Sequence, residues 1–359
     1  MKDPNITYTK AAAIILMVLC HSAIGNKYVL DFIYMFHMPL FFFFSGFCLK
    51  TEYFGLPWKF AWKRVKGIYW PYLKWSVVFL LLHNMMFGIN LYSAEYGYNG
   101  NGSQLYSQND FFERFRSIVF LMQGHEQLLG GYWFMRALFF GSLIAFVLLW
   151  LLNIANKKTK TPRAYPIVIG GGTLLVFCVA LNFYHRILLY IISPQLMLAA
   201  VFFLIGHAFR QLNVSKFSVW QLLAVLVLVF IGSFFWNMAT DSPFYESRRI
   251  LPYILTAVLG TWAIYSLPWH RIQGRITAIL QFIGNNTLTI LTWHFLMFKF
   301  VSLIIIYTYG LPIARLAEFP AIREYAVQGW WVAYFLTAIL TTCAIAYCNR
   351  WIKNSWMKL

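Results

Sequence analysis

Four ionisable residues stand inside the first two apolar runs of this chain: Lys10, His21, Asp31 and His37. Lipid rejects such groups, so at membrane depth they mark a cavity, a substrate path or a proton path. A neutral imidazole in that setting has the chemistry to take a proton from a hydroxyl near pH 7. For a lone histidine, a hydrogen bond between helices is the plainer alternative. His21 is not alone, because His37 lies in the facing run and Asp31 opens that run. The start of a helix suits an acid, so Asp31 either touches a histidine or is a solvated residue at the helix start. His21 follows Lys10 by eleven residues, about 16 Å of helix rise. That spacing predicts Lys10 at the membrane edge and His21 near half depth.

Three further groups of residues have chemical potential. Lys63, Arg64 and Lys66 precede a helix start marked by Pro71. Anchoring of a cytoplasmic loop accounts for such a cluster, and a clamp for the phosphates of an anionic donor is the functional reading. Lys74, slightly inside the next run, favours the clamp. Gly130 to Arg136 opens a later run with Trp133 and Arg136. Arg136 must pair or face water, and Asp31 is a partner at similar depth. Finally, Gly284-Asn285-Asn286-Thr287 is a helix-start signal with Asn or Thr available as a cap, and it places His294 near mid-membrane. Thr287, Thr289 and Thr292 follow as interhelical hydrogen-bonding groups. The sequence has no Gly-rich phosphate loop, no GxSxG, no zinc-ligand spacing and no paired carboxylates. The five cysteines form no metal-ligand pattern and read as small buried hydrophobes. No metal is expected.

The elements that must position these residues are membrane spans. Of 359 residues, 60% are hydrophobic and 11% charged, against about a quarter charged in soluble domains. Apolar runs long enough for a bilayer core of ~30 Å recur at 10–26, 31–49, 68–87, 131–153, 164–181, 187–209, 218–237, 250–267, 282–308 and 329–348. Between the third and fourth lies a long polar stretch, 88–130, with a short amphipathic helix over 111–122. Trp58, Phe60 and Trp62 suggest an interfacial helix within 50–66. A cleaved signal peptide is not expected, because a second apolar run follows the first at once and His21 interrupts it. Cys20 follows Leu19 rather than a small residue, which argues against a lipoprotein site. The net charge of +18 raises nucleic acid as a partner, but the cations cluster in short loops between runs. With ten spans, 18 Lys and Arg fall on the side of the termini and 8 on the other, which places both termini in the cytoplasm. The expected fold class is therefore all-α: a polytopic integral membrane bundle of about ten helices, one domain over 1–359, with no nucleic-acid partner.

Several of these stretches together resemble the acyltransferase-3 family of bacterial membrane acyltransferases. The likeness rests on Lys10 and His21 at their spacing and on FHMPLFFFFSGF around His37. It also rests on the basic run into WPY at Arg64–Tyr72, on GYWFMRALF around Trp133, and on the pattern Gly284, Asn285, Thr287, Ile290, His294. The resemblance implies about ten spans in a membrane, the bacterial inner membrane, with membrane lipid around them. It implies transfer of an acyl group, usually acetyl, from coenzyme A to a hydroxyl of a glycan or lipid-linked carbohydrate. Carried over, His21 is the catalytic histidine and Arg64 belongs to the basic motif that meets the coenzyme. The reading of the residues taken with it adds Asp31 to the catalytic group, sets Lys10, Lys63 and Lys66 with Arg64 at acetyl-CoA or another acyl-CoA, and sets His37, Trp133, Arg136 and His294 on the acceptor side. The chain departs from the family pattern at two points. Lys10 stands where many members have Arg, and the usual Arg-x-x-Arg reads Arg64-x-x-Gly67. A lysine binds phosphate as a point charge, without the bidentate fork. Direct transfer and an acyl-enzyme route are both open. No esterase-like domain is appended, so transfer is expected to finish in the membrane domain. The alternative is a proton-coupled transporter or flippase with a histidine relay; the lack of an internal repeat weighs against it. A scaffold with structural histidines is a third reading.

Overall fold

The structure is a computed structural model that describes residues 3–98, 104–159, 193–236, 239–240 and 247–356, with positions 170 and 172. The described residues are helical, with no β-strand among them. Thirteen helices carry the argument: α1 Pro4–His21, α2 Lys27–Tyr34, α3 His37–Phe47, α4 Pro57–Arg64, α5 Trp70–Gly88, α6 Gln108–Arg116, α7 Trp133–Thr159, α8 Pro194–Gln211, α9 Val219–Phe235, α10 Ser247–Ser266, α11 Arg275–Asn285, α12 Thr287–Tyr309 and α13 Trp331–Trp356. The expected span over 164–181, apart from positions 170 and 172, and the first part of the one over 187–209, up to 192, lie outside the described residues. Five described stretches are long and apolar enough to cross a membrane: Lys27–Phe47, Gln127–Ile154, Arg249–Arg271, Thr287–Tyr309 and Arg323–Ser355. This is a multi-pass membrane protein.

α1 is the hub, packed against α2, α3, α10, α11, α12 and α13. That surrounding explains why a helix bearing Asn5, Thr7, Thr9 and Lys10 is tolerated there. Asp3 caps its first turn, accepting from the Asn5 amide at 2.9 Å, and also accepts from Tyr265 Oη at 2.5 Å. The helix begins six residues before Lys10 and ends on His21. So Lys10 sits inside the first half of a ~27 Å helix, and His21 closes that helix.

The second apolar run is a broken helix. Pro39 lacks an N–H and its ring would collide with the carbonyl four residues back. α2 therefore stops at Tyr34, and α3 restarts at His37 after Met35 and Phe36. Irregular backbone at membrane depth is tolerated where it lines a cavity, as it does here. α3 lies directly on α8. A Cβ on Gly46 would sit 1.8 Å from Phe203 O, and one on Gly206 1.9 Å from Phe43 O, so reciprocal glycines let the two backbones touch.

The 282–308 run also divides. α11 packs on α1, and a Cβ on Gly284 would lie 2.1 Å from Thr7 O, which is why a glycine stands there. α12 then begins at Thr287 without the expected side-chain cap. Asn286 Nδ2 donates backward to Phe282 O at 2.8 Å instead, because the two helices are almost continuous and leave that carbonyl to satisfy. The interfacial helix expected within 50–66 is α4, with Trp58 exposed and Phe60 buried. The amphipathic helix of the polar stretch is α6, started by a Ser107–Asp110 capping box.

Candidate functional site

Three helices bring the three deep histidines toward one place. His21 ends α1, His37 begins α3, and His294 stands two turns into α12. His294 and His37 are buried. His21 Nδ1 lies 2.9 Å from His294 Nε2. The two rings stack with centroids 5.1 Å apart and planes 16° apart, and Phe295 stacks on His21 at 4.8 Å.

The backbone fixes the proton positions in this pair. His294 Nδ1 faces two carbonyl oxygens, Ile290 O at 3.1 Å and Leu291 O at 3.0 Å. Carbonyls only accept, so Nδ1 carries the hydrogen and Nε2 the lone pair. His21 must then donate from Nδ1 to His294 Nε2. Its own Nε2 keeps the lone pair, the nitrogen a general base needs. His37 Nδ1 donates in the same manner to Ile33 O at 3.0 Å, and Tyr34 stands edge-on to it at 5.2 Å. Ile33 O also accepts from Phe36 N at 3.2 Å, in the turn between α2 and α3.

His21 and His37 line a cavity of about 20 Å³ together with Met17, Tyr34, Met38, Gly131, Trp133, Ala239, Thr240 and Leu291. That is room for about one water. Trp133 thus joins the histidines, where the sequence places it. Arg136, one turn later, does not line the cavity. Its Nε donates to Leu121 O at 2.9 Å, in place of the expected pairing with Asp31. Asp31 forms an i,i+4 ion pair with Lys27 and lines neither cavity described here, so the structure gives this carboxylate a lysine rather than a histidine as its neighbour. The nearer group was on the same helix one turn back. Tyr132 Oη and Thr292 Oγ1 bond at 2.8 Å beneath the site, an interhelical role for Thr292.

A second, larger space of about 330 Å³ lies toward the start of α1. Lys10, Ile14, Met17, Met38, Phe41, Ser45, Cys48, Gly67, Ile68, Phe134 and Thr287 are among its walls. Its lining is mostly apolar, and cations gather at its Lys10 end. Burial pushes the Cys48 thiol up, while Lys10, Arg210 and Lys63 pull it down. All three therefore lie within electrostatic reach of Cys48. Arg210, at the end of α8, is a member of this group that the sequence spacing does not single out; only contact between α3 and α8 brings it in. Its guanidinium lies 5.4 Å from the Phe47 ring centre. Arg64 lies over the rings of Phe60 at 4.7 Å and Phe203 at 5.7 Å. Its Nε is buried without a hydrogen-bond partner among the described residues. Burial lowers its pKa to about 10, against Tyr53 and Cys48, so it remains a cation at neutral pH. Lys63 Nζ donates to Tyr53 Oη at 3.3 Å, and Lys66 Nζ stands 5.4 Å from the Trp62 ring centre. Between α4 and α5 the chain makes a π-helical turn over Val65–Tyr69, a form common at functional sites. It presents Gly67 and Ile68 to the chamber.

Another buried histidine went unrecognised in the sequence. His83 of α5 shares a proton with Glu126 Oε2 at 2.9 Å, and its Nε2 donates to Gln104 O at 2.9 Å. Tyr106 stacks on it at 3.4 Å. Burial first and Glu126 next push the Tyr106 phenol up. Glu126 lies in a polar loop, and nothing in the local pattern announces that it will be buried.

The sequence model of an acyltransferase domain family matches residues 3–350. No curated protein and no solved structure matches the chain.

Proposed function

This chain belongs to the acyltransferase-3 family, and from that premise we propose that it moves an acetyl group from acetyl-CoA to a hydroxyl of a glycan or lipid-linked carbohydrate, with His21 as general base. The observation that carries the reading is the forced tautomer of the His21–His294 pair: a bare Nε2 on a histidine that lines a cavity.

The acceptor O–H gives its proton to His21 Nε2 as its oxygen attacks the thioester carbonyl. The C–O bond forms, the C–S bond breaks, and the proton passes from His21 to the departing thiolate, so free coenzyme A leaves. While charged, the His21 imidazolium holds its Nδ1–H on His294 Nε2. The last carbonyls of α1 also favour that cation. His294 is a positioning residue, locked by two carbonyls. His37, held by Ile33 O, faces the same cavity and is placed to bond the acceptor or the thioester oxygen. Tyr34 and Trp133 offer aromatic walls, which suit the C–H faces of a sugar ring.

At the other end, Lys10, Lys63, Arg64 and Arg210 bind the phosphates of the coenzyme, with Lys66 at the rim. An unpartnered buried guanidinium atom supports this role for Arg64. The excess of cations on this side supports a cytoplasmic location for it, with cytoplasmic termini, about ten spans in total and a bacterial inner membrane as the setting.

The test uses protein in lipid discs, acetyl-CoA as donor, and water or octyl glucoside as acceptor probes. Free thiol and alkylation of Cys48, which lines the chamber, are followed together. Acetyl-CoA is expected to protect Cys48 and to release thiol in wild type. With His21→Ala, protection stays and release is lost. Absence of protection in wild type overturns the reading.

A further inference from the structure

The chamber and the histidine cavity share three wall residues: Met17, Met38 and Leu291. Each comes from one of the helices that carry a histidine. Met17 is one turn before His21 on α1. Met38 directly follows His37 on α3. Leu291 is three residues before His294 on α12. The same three helices therefore build the histidine group and, on its chamber side, a ring of apolar side chains. All three are buried. Leu291 has two separate tasks: its carbonyl accepts from His294 Nδ1, and its side chain packs where a Cβ on Gly131 would meet Leu291 Cδ1 at 2.8 Å.

The spaces on either side of the ring are very unequal. The chamber measures about 330 Å³ and the histidine cavity about 20 Å³. On the chamber wall, Ser45 Oγ is buried without a hydrogen-bond partner among the described residues. Such a group is costly unless something bonds it. An elongated donor with an amide-bearing arm, its phosphates at the Lys10 end, would meet Ser45 on its way to the ring. Only the reacting end of that donor would have to cross.

We infer that Met17, Met38 and Leu291 form an acyl-length gate, which admits a two-carbon acyl group to His21 and holds longer chains in the chamber. The inference rests on the acyltransferase reading above. The gate is made mainly of methionine, an unbranched side chain with several rotatable bonds, so it yields to a small group by a change of rotamer. The space beyond the ring, about 20 Å³, has to widen by side-chain movement even for an acetyl group, and by more for every methylene added to the chain. Because the backbone carbonyl at 291 survives any side-chain change, the gate can be widened without disturbing the histidine tautomers.

The experiment measures thiol release from acetyl-, butyryl- and hexanoyl-CoA with water as acceptor, and Cys48 alkylation located by peptide mass. Protein is in lipid discs, and only variants that elute as wild type on size exclusion are compared. Wild type is expected to turn over acetyl-CoA and to be protected at Cys48 by both acetyl- and hexanoyl-CoA. It should release at least about tenfold less thiol from the hexanoyl donor. Leu291→Ala should raise the hexanoyl-to-acetyl ratio about tenfold or more; Leu291→Val, a milder change, should raise it less. Met17→Ile, which stiffens the ring with a β-branched side chain, should lower acetyl turnover while leaving protection of Cys48 intact. A wild type that turns over hexanoyl-CoA as fast as acetyl-CoA overturns the gate. So does an unchanged ratio in Leu291→Ala and Leu291→Val. Failure of acetyl-CoA to protect Cys48 in wild type points elsewhere, to the acyltransferase reading itself.

Discussion

Two of the buried histidine groups among the described residues obey opposite logics. At His21 and His294 every visible partner is a neutral acceptor or another imidazole, and one lone pair is left over beside a cavity. At His83 a carboxylate and a carbonyl occupy both ring nitrogens, and Tyr92 and Tyr106 close around the ring. His294 and His83 are equally buried, so depth does not separate chemistry from architecture. What separates them is whether both nitrogens of the imidazole are engaged by the protein itself, since Glu126 Oε1 and the Tyr92 and Tyr106 hydroxyls beside His83 have no partner among the described residues. A histidine engaged at both nitrogens fixes a loop to a helix; one with a bare Nε2 waits for a substrate proton.

The largest effect that tests this contrast is at His21. His21→Ala should lower thiol release by ~10²- to 10⁴-fold, the usual contribution of a general base, while the protein still folds and acetyl-CoA still protects Cys48. Next come His83 and Glu126. Removing one partner of a buried charged pair costs about 3–5 kcal/mol, and replacing both with apolar residues costs less. Thermal unfolding in lipid discs should therefore show His83→Leu as much less stable than wild type, with His83→Leu/Glu126→Leu recovering part of the loss. Thiol release per folded molecule should stay near wild type in both. If His83→Leu abolishes release in protein that is folded, the contrast collapses.

His294 gives a smaller, sharper test. Orienting partners cost roughly 10- to 100-fold when lost. His294→Ala should fall in that range. His294→Gln, whose side-chain oxygen can still accept from His21 Nδ1, should recover part of the rate and keep the wild-type pH profile. A merely structural role for His294 predicts no such ordering.

The sequence made half of this contrast visible. His21, His37 and His294 stand in apolar runs, where an ionisable residue is conspicuous, and their spacing to Lys10 and to Gly284 pointed the same way. Trp133 was legible because it opens a run. The partners were less so. Arg136 and Asp31 are bonded by near neighbours in the chain, Leu121 and Lys27, and short-range options of that kind are numerous. Arg210 and Glu126 were illegible, since one joins the basic mouth and the other the His83 pair only through helix contacts of long sequence separation. Helix boundaries inside two runs were not legible: the breaks at Met35–Phe36 and at Asn286 divide each run into two helices, although Lys27–Phe47 remains one stretch long and apolar enough to cross a membrane. A hydropathy window averages over such breaks, whereas the chain uses them to place His37 and to seat α11 on α1.

Arg64 extends the contrast to the chamber mouth, because it too has an unmet hydrogen-bonding demand. Arg64→Ala should raise the acetyl-CoA concentration needed for half-protection of Cys48, with the rise diminished at high salt as screening weakens the remaining cations. Arg64→Lys should recover part of the loss, since it keeps the charge but not the fork. Turnover at saturating donor should change little.

The smallest effect is expected at Asp31. Its ion pair with Lys27 is an i,i+4 contact between an exposed lysine and a partly exposed carboxylate, and such pairs contribute about 0.3–0.5 kcal/mol. Asp31→Asn should leave thermal unfolding within that margin. It should also leave the pH dependence of thiol release unchanged, because the proton inventory of the His21–His294 pair closes without any carboxylate. Were Asp31 the orienting group for a histidine, the same substitution would cost rate on the scale of His294→Ala and shift the profile. Measuring both variants side by side decides whether the pair is held by an acid or, as its geometry requires, by backbone carbonyls alone.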